Sequence, residues 1–134
     1  MDRLAEITLA ATDAIRQSGL PDADKVTISN VGSDFLNSRS PAAGGVIIYP
    51  FPKVAYRGPK MQRITWTLGI LANARSVQAA ARCSDILDVL TAAGVISWRA
   101  EPATVDPTDF AVSEDPAAPK VPGWAVTITE EHLP

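Results

Sequence analysis

The stretch RITWTLGILA, residues 63–72, alternates in a period of two between apolar and other side chains. Every second position carries an apolar residue: Ile64, Trp66, Leu68, Ile70 and Ala72. Successive side chains of a β-strand point to opposite faces of a sheet, so this pattern predicts a half-buried strand with one dry face. The β-branched and aromatic residues in the run favour the same structure. We expect it to be the central strand against which the other elements pack.

Two segments with apolar residues at three- and four-residue spacing predict amphipathic helices. The first spans residues 4–17 and is ended by Gly19 and Pro21. The second spans residues 77–93, with Ser76 as its N-cap and Gly94 at its C-terminal end. Cys83 lies on the apolar stripe of this second helix, so we expect a small buried hydrophobe and not a reactive thiolate.

Further strands are predicted at residues 26–31, 46–50, 95–100 and 124–129. The second of these is an apolar run without alternation, which indicates burial on both faces. Tryptophan occurs on the apolar phase of three different strands, at Trp66, Trp98 and Trp124. This pattern predicts one shared core. We therefore expect a single α+β domain over residues 1–134, with two helices packed on one face of a four- to five-stranded sheet. The sheet is mainly antiparallel or mixed, and the second helix is the place for a crossover.

The remaining segments predict extended loops at about residues 32–45, 53–62 and 101–122. In the first loop the apolar pair Phe35-Leu36 either folds back onto the core or forms an exposed docking knob. The last loop holds five prolines and five acids, with a brief strand at Phe110 and Val112 as its only regular structure. A structureless segment of this length inside a compact domain is commonly functional or disordered.

Charge is distributed unevenly along the chain, although the net charge is only −3. Residues 32–82 carry seven basic side chains and one acid, whereas residues 83–134 carry nine acids and two bases. Such complementary segments meet within one subunit or between neighbouring ones. The basic stretch 53–63 contains one aromatic residue, Tyr56, which disfavours sequence-specific nucleic-acid binding. The alternatives are a solvated arm, a contact with a neighbouring subunit, or a contact with DNA that passes close by.

Few residues fit catalysis or metal binding. The single histidine, His132, lies beside Glu130 and Glu131 near the end of the sequence, where we expect a frayed residue. There is no G-x-S-x-G motif, no P-loop and no EF-hand spacing among the acids of residues 101–115. We expect no enzymatic activity, no cofactor and no metal. The single cysteine excludes an internal disulfide, and the sequence contains neither a signal-peptide pattern nor an apolar run of the roughly 18 residues that a membrane helix needs.

The order of these features resembles a known family. A short amphipathic helix precedes a buried strand that ends at Pro50, and an extended arm then leads into the alternating strand with its Thr65-Trp66 pair. The helix at 77–93 and paired strands complete the chain. This pattern is similar to the tail terminator proteins of bacteriophages with long, non-contractile tails, and the similarity spans nearly the whole sequence. Head-closure and tail-completion proteins are related in size and architecture.

The resemblance implies a structural virion protein that is assembled in the host cytoplasm. Such proteins form a ring, usually of six copies, on the last ring of a finished tail tube. The ring ends tail polymerisation and presents a surface for joining the head, so its partners are the tail tube protein and the head–tail connector. Genomic DNA passes through the lumen without sequence-specific binding. The alternatives are another neck protein, acting in head closure or tail completion, and a small intracellular protein-binding module.

Two hypotheses about residues follow from the sequence itself. Contacts in a ring are head-to-tail, between two different patches of neighbouring subunits. We expect the basic residues Arg57, Lys60 and Arg63 to approach acids of the adjacent subunit. The acidic candidates are Asp106, Asp109, Glu114 and Asp115. The second hypothesis is that the loop 32–45, through Phe35, Leu36 and Arg39, contacts the tail tube or the connector.

Overall fold

A computed structural model describes residues 3–35, 43–56, 58, 61–72, 75–95 and 103–132. Within these ranges the chain forms two helices and six strands, which confirms the α+β class. The helices are α1 (Arg3–Arg16) and α2 (Val77–Ala92). The strands are β1 (Thr27–Ser29), β2 (Gly45–Ile48), β3 (Lys53–Tyr56), β4 (Gln62–Leu71), β5 (Thr104–Phe110) and β6 (Val121–His132).

All six strands belong to one open sheet, one strand more than the sequence predicted. The order across the sheet is β1-β2-β4-β6-β5, and β3 pairs with β4 beyond the end of β2. Every pairing is antiparallel except that of β1 with β2, which is parallel. β4 and β5 run in the same direction with β6 between them, so the connection through α2 is a crossover, as expected.

β4 is the central strand, as its alternation predicts. It pairs with β6 over its whole length, from Gln62↔His132 to Leu71↔Gly123. The backbone of His132 is thus part of the ladder, so the expectation of a frayed residue was wrong. The other side of β4 is shared between β2 and β3.

The main core lies between one face of the sheet and both helices, as predicted. The helices contribute Ile7, Ala11, Ile15, Ala79, Cys83, Ile86 and Leu90. The sheet contributes Val46, Ile48, Trp66, Leu68, Ile70, Val126 and Ile128. Burial of each large aliphatic side chain stabilises the fold by about 1.5–3 kcal/mol. Trp124 packs against this core while partly exposed, and Trp98 lies outside the described residues.

A second, smaller apolar cluster covers part of the opposite face of the sheet. Its buried members are Ile47, Leu71, Phe110 and Val112. This cluster explains why β2 is buried on both faces, as predicted, and why one end of β4 lacks the solvated face that we expected. Gly69 lies beneath it, where an added Cβ would be 2.7 Å from Ile47 and 2.9 Å from the Phe110 ring.

The ends of α2 follow the sequence signals closely. The Ser76 side chain accepts a hydrogen bond from the backbone N–H of Ala79 at 3.1 Å, which confirms the N-cap. At the other end the N–H of Gly94 donates to Thr91 and that of Val95 to Leu90. Gly94 has φ +78°, which makes this a Schellman motif.

Two of the predicted loops contain strands that the sequence did not reveal. β3 occupies the start of the segment 53–62, and β5 occupies a third of the segment 101–122. The brief strand expected at Phe110 and Val112 is instead the last residue of β5 followed by an irregular segment. β3 and β5 are edge strands with exposed, polar or proline positions, so neither shows a strong apolar period. The strand predicted at 95–100 lies almost entirely outside the described residues.

Candidate interaction site

A bulge rich in proline separates β2 from β3 on the same side of β4. Ile48 pairs with Leu68 and Lys53 with Thr65, so the four residues 49–52 lie opposite only two residues of β4. Pro50 and Pro52 have no backbone N–H and cannot continue the ladder. Phe51, between them, is 91% exposed.

The open edge of β3 presents unprotected backbone donors. The N–H of Tyr49 donates to the carbonyl of Thr67 at 3.1 Å, which shows that odd-numbered residues of β4 face β2 and β3. By the antiparallel pairing rule, Lys53 and Ala55 therefore bond to β4. The backbone groups of Val54 and Tyr56 face outward, where none of the described strands lies.

The side chains of β3 are as open as its backbone. All four residues are exposed, Val54 at 46% and Tyr56 at 70%. The Tyr56 hydroxyl accepts a 3.3 Å hydrogen bond from Gln62 Nε2. We call Phe51, Lys53, Val54 and Tyr56 the β3 patch. The sequence analysis did not predict that this segment is an exposed, partly apolar surface. The signal that could have revealed it is an aromatic residue between two prolines, followed by basic residues.

An acidic edge lies across the sheet from β3, beyond β4 and β6. It is formed by β5 and the segment after it. Its members, Asp106, Asp109, Glu114 and Asp115, are all exposed. An ion pair at 2.6 Å joins the Asp109 carboxylate to the Arg75 guanidinium just before α2. The Asp115 carboxylate accepts a hydrogen bond from the backbone of Ala117 at 2.9 Å.

Proline protects the open edge of β5. The N–H of Ala72 donates to the carbonyl of Pro122 at 2.8 Å, so even-numbered residues of β6 face β4 and odd-numbered ones face β5. Thr108, opposite Gly123, therefore bonds to β6, and the backbone of its neighbour Pro107 faces outward. Proline supplies no donor there, which prevents regular strand addition.

The structure separates the residues predicted for the subunit contact. Arg63 lies 3.6 Å from Glu131 of β6, so it has a partner within its own chain, as Asp109 has in Arg75. Asp106, Glu114 and Asp115 lie on the acidic edge. Arg57 and Lys60 lie outside the described residues.

Phe35 is folded back onto the sheet, the first of the two alternatives for its loop. It is partly buried against the small apolar cluster, and its ring would be 2.6 Å from a Cβ added to Gly45. This packing removes it from the exposed surface, so it does not form a free docking knob. Leu36 and Arg39 lie outside the described residues.

The carboxylates near the C-terminus point away from each other. Glu130 pairs with Arg3 of α1, with Nε 3.1 Å from Oε2, and this hydrogen bond raises the pKa of Arg3. Glu131 lies on the opposite face, beside Arg63. Across the ranges that the structure describes, no group of three or more His, Cys, Asp or Glu side chains is arranged to hold a metal ion.

A cavity of about 410 Å³, which we call the α2 pocket, opens at the N-terminal end of α2. Its walls are mainly apolar and include Val77, Ala80, Cys83, Pro122 and Trp124. The Cys83 side chain is buried, as its position on the apolar stripe predicts, and burial raises the pKa of its thiol. The thiol is therefore neutral at physiological pH.

Gly123 also lines the α2 pocket, and no larger residue fits there. A Cβ at this position would lie 2.1 Å from the carbonyl oxygen of Ile70, which is backbone and cannot move aside. Arg75 is a further lining residue, so its ion pair with Asp109 joins the pocket to the acidic edge.

The β3 patch and the α2 pocket lie at different ends of the sheet. The bulge with Phe51 runs opposite residues 66–67 of β4, whereas the pocket adjoins Ala72, roughly 15–20 Å further along the strand direction. β3 and β5 are also on opposite sides of the β4–β6 pair. One copy cannot bring its own patch and pocket together, but two copies can.

None of the helices in the described part of the chain is long and apolar enough to cross a membrane. Comparison with known proteins identifies no relative. No protein-family model matches this chain, nor does any curated protein or solved structure.

Proposed function

We propose that this chain is a structural phage virion protein that forms a ring on the end of a completed tail tube. The ring ends tail polymerisation and provides the surface on which the head is joined. The sequence resemblance suggests this role, and one structural observation supports it. The β3 patch and the acidic edge with its pocket lie on opposite sides of the β4–β6 pair. A cyclic oligomer needs two different, complementary surfaces on each subunit.

In this proposal the chain binds copies of itself, the tail tube protein and the head–tail connector. The expected ring has six copies, and genomic DNA passes through it without sequence-specific binding. The role is architectural, with no catalysis, no cofactor and no membrane contact, and the site of action is the neck of a virion assembled in the host cytoplasm.

Electrostatics in such a ring would set register more than affinity. Arg57 and Lys60 remain the candidates to meet the acidic edge of a neighbour, whereas Arg63 and Asp109 would have to share partners that they already have. An exposed ion pair contributes only about 0–1 kcal/mol, so the charges choose the partner surface and apolar contacts provide the stability.

Tube capping tests the proposal directly. Purified tail tube protein is polymerised with and without the chain, and tube lengths are measured by electron microscopy. We expect shorter tubes with a ring at one end, and weaker capping when Arg57 and Lys60 are both replaced by Glu. Tubes that grow to the same length with and without the wild-type chain would refute the terminator role.

The open edge of β3 favours a second candidate function. The outward N–H groups of Val54 and Tyr56 can add an extended peptide as a further strand. The chain would then be a small protein-binding module. A wild-type chain that stays monomeric up to near-millimolar concentration in light scattering, and that caps no tubes, would favour this module.

Another neck protein is the remaining alternative. A ring that binds the isolated head–tail connector, and not tube ends, would place the chain in head closure.

A further inference from the structure

We propose that Phe51 of one copy inserts into the α2 pocket of the next copy. This inference rests on the ring-forming function proposed above and names the contact that would hold the ring together. The occupant of the pocket is thus a second copy of this chain, and not a small ligand or an unrelated peptide.

The side chain of Phe51 projects from the surface, and its neighbours hold the backbone in place. Its side chain is 91% exposed, although phenylalanine is a residue that folded chains usually cover. The ring of Pro50 fixes its own φ angle just before Phe51, and Pro52 restricts Phe51 to an extended backbone conformation. Such preorganisation lowers the entropy lost on docking. Phe35, the other candidate knob, already packs within its own chain.

The α2 pocket is large enough to admit a phenyl ring, and its chemistry suits one. Its volume of about 410 Å³ lies at the lower end of the roughly 300–1,000 Å³ of clefts that bind drug-sized ligands, so a phenyl ring enters with space left for its neighbouring residues. Trp124 offers an aromatic surface against which a phenyl ring packs in a tilted or offset geometry. Ala80, Cys83 and Pro122 supply aliphatic or apolar walls. Val77 is 83% exposed beside the opening and would be covered by the incoming chain.

The charges beside the two surfaces are complementary. Lys53 is exposed and lies two residues after Phe51. It would approach the acidic edge of the next copy when the phenyl ring of Phe51 enters the pocket. Asp109 lies beside the pocket through its ion pair with Arg75, whereas Asp106 is exposed on the opposite face of the same strand. A placement that sets Lys53 against the Arg75 guanidinium is repelled, and one that sets it beside the Asp109 carboxylate is favoured.

The separation of knob and pocket allows an assembly of many copies. Each copy offers Phe51 at one place and the pocket at another, so a contact made once between two copies is heterologous and propagates from copy to copy, whereas a reciprocal exchange of both contacts would give a two-fold dimer. It closes into a ring where the rotation permits and otherwise forms an open chain. The competing arrangement is a two-fold dimer in which two β3 edges pair with each other.

A cross-linking experiment separates these arrangements. The substitutions are Lys53→Cys beside the knob and Val77→Cys beside the pocket. Cys83 is retained because it forms a wall of the pocket, and the wild-type chain treated alone measures the background from its buried thiol. With a short bis-maleimide reagent, we expect the mixture of the two variants to yield a cross-linked dimer at least tenfold more abundantly than either variant alone. Adding Phe51→Ser to the Lys53→Cys chain should abolish this product. Absence of the product from the mixture, or equal self-linking of Lys53→Cys, overturns the inference.

Substitution provides an independent measurement on the full chain. Phe51→Ser and the pocket-filling Ala80→Phe should each raise the dissociation constant for self-association at least tenfold, as measured by sedimentation. The matched control is Leu9→Ser, which removes an apolar side chain that is 62% exposed on α1. It should change the constant by less than twofold. All three proteins should keep the wild-type thermal midpoint within a few degrees.

The failure of this inference is distinguishable from the failure of the proposed function. Rings that form equally well with Phe51→Ser would overturn the inference and leave the terminator role intact. A cross-link that depends on Phe51, in a protein that caps no tubes, would support the inference and overturn the terminator role.

Discussion

Two of the strands that flank the β4–β6 pair, β3 and β5, have an open edge, and these two edges differ. β5 is longer, ends at the buried Phe110, and turns the backbone of Pro107 outward. β3 has only four residues, all exposed, and turns complete N–H and C=O groups outward at Val54 and Tyr56. β5 is thus fastened to the core and interrupted by a proline, whereas β3 has no buried residue and is protected only by its short length and by Lys53.

This difference indicates which edge of the sheet is the better candidate to bind another molecule. Sheet edges are usually protected by proline, charge or burial because an unprotected edge pairs with other chains. β5 has a proline and two acids. β3 has one base, Lys53, but it combines open donors with exposed apolar side chains, a combination that favours pairing with another chain. The comparison therefore points to β3 as the surface that meets another molecule.

The largest expected effect is on stability, and it compares a buried phenylalanine on β5 with the exposed phenylalanine before β3. Phe110→Ala should reduce the free energy of unfolding by about 3–5 kcal/mol, because it empties the small apolar cluster that fastens β5. Phe51→Ala makes the same chemical change at a site that is 91% exposed, and should cost less than about 0.5 kcal/mol. Urea unfolding at low protein concentration measures both. Similar losses in the two variants would show that the bulge before β3 is part of the folded core.

A variant pair of intermediate effect tests which N–H groups of β3 point toward β4 and which point outward. Ala55→Pro removes an N–H that bonds to β4 and should destabilise the chain by about 1–2 kcal/mol more than Val54→Pro, whose N–H faces outward. The measurement is again urea unfolding. Val54→Pro also protects the open edge, as Pro107 does on β5, so it should weaken any β3–β3 pairing. If Val54→Pro were the more damaging variant, the assigned direction of the ladder would be wrong.

The smallest effect concerns the acidic edge. Asp109→Asn should cost at most about 1 kcal/mol, because the Arg75–Asp109 pair is exposed and screened by solvent, and the loss should shrink in high salt. Asp106→Asn, on the other face of the same strand, is the matched control and should be neutral within about 0.5 kcal/mol. A salt-independent loss for Asp109→Asn would mean that its carboxylate has a structural role beyond the ion pair.

Much of the fold was predictable because its signals are local. The period of two in β4, the apolar stripes of both helices, the Ser76 cap and the Gly94 end depend on residues close together in the sequence, and the structure confirms them. β3 and β5 were predicted as loops because an edge strand has only one neighbour to pair with and little apolar face to bury. β3 pairs with the next strand, β4, across a short connection, and β5 pairs with β6 across an irregular segment, but neither edge strand has an apolar period of its own to mark it as a strand.

The sequence by itself determined the class of the fold, the central strand, and the helices with their ends, because periodicity and capping are properties of neighbouring residues. Only the tertiary structure decided which apolar residue outside these elements is covered. Phe35 and Phe51 look alike in sequence, each in a segment that lacks a strong apolar period. Phe35 packs against a cluster assembled from β2, β4 and β5, whereas Phe51 is held outside the sheet by a bulge opposite β4. Long-range packing decides which of these two positions is covered, and the prolines on both sides of Phe51 are the local sign that it cannot continue a strand.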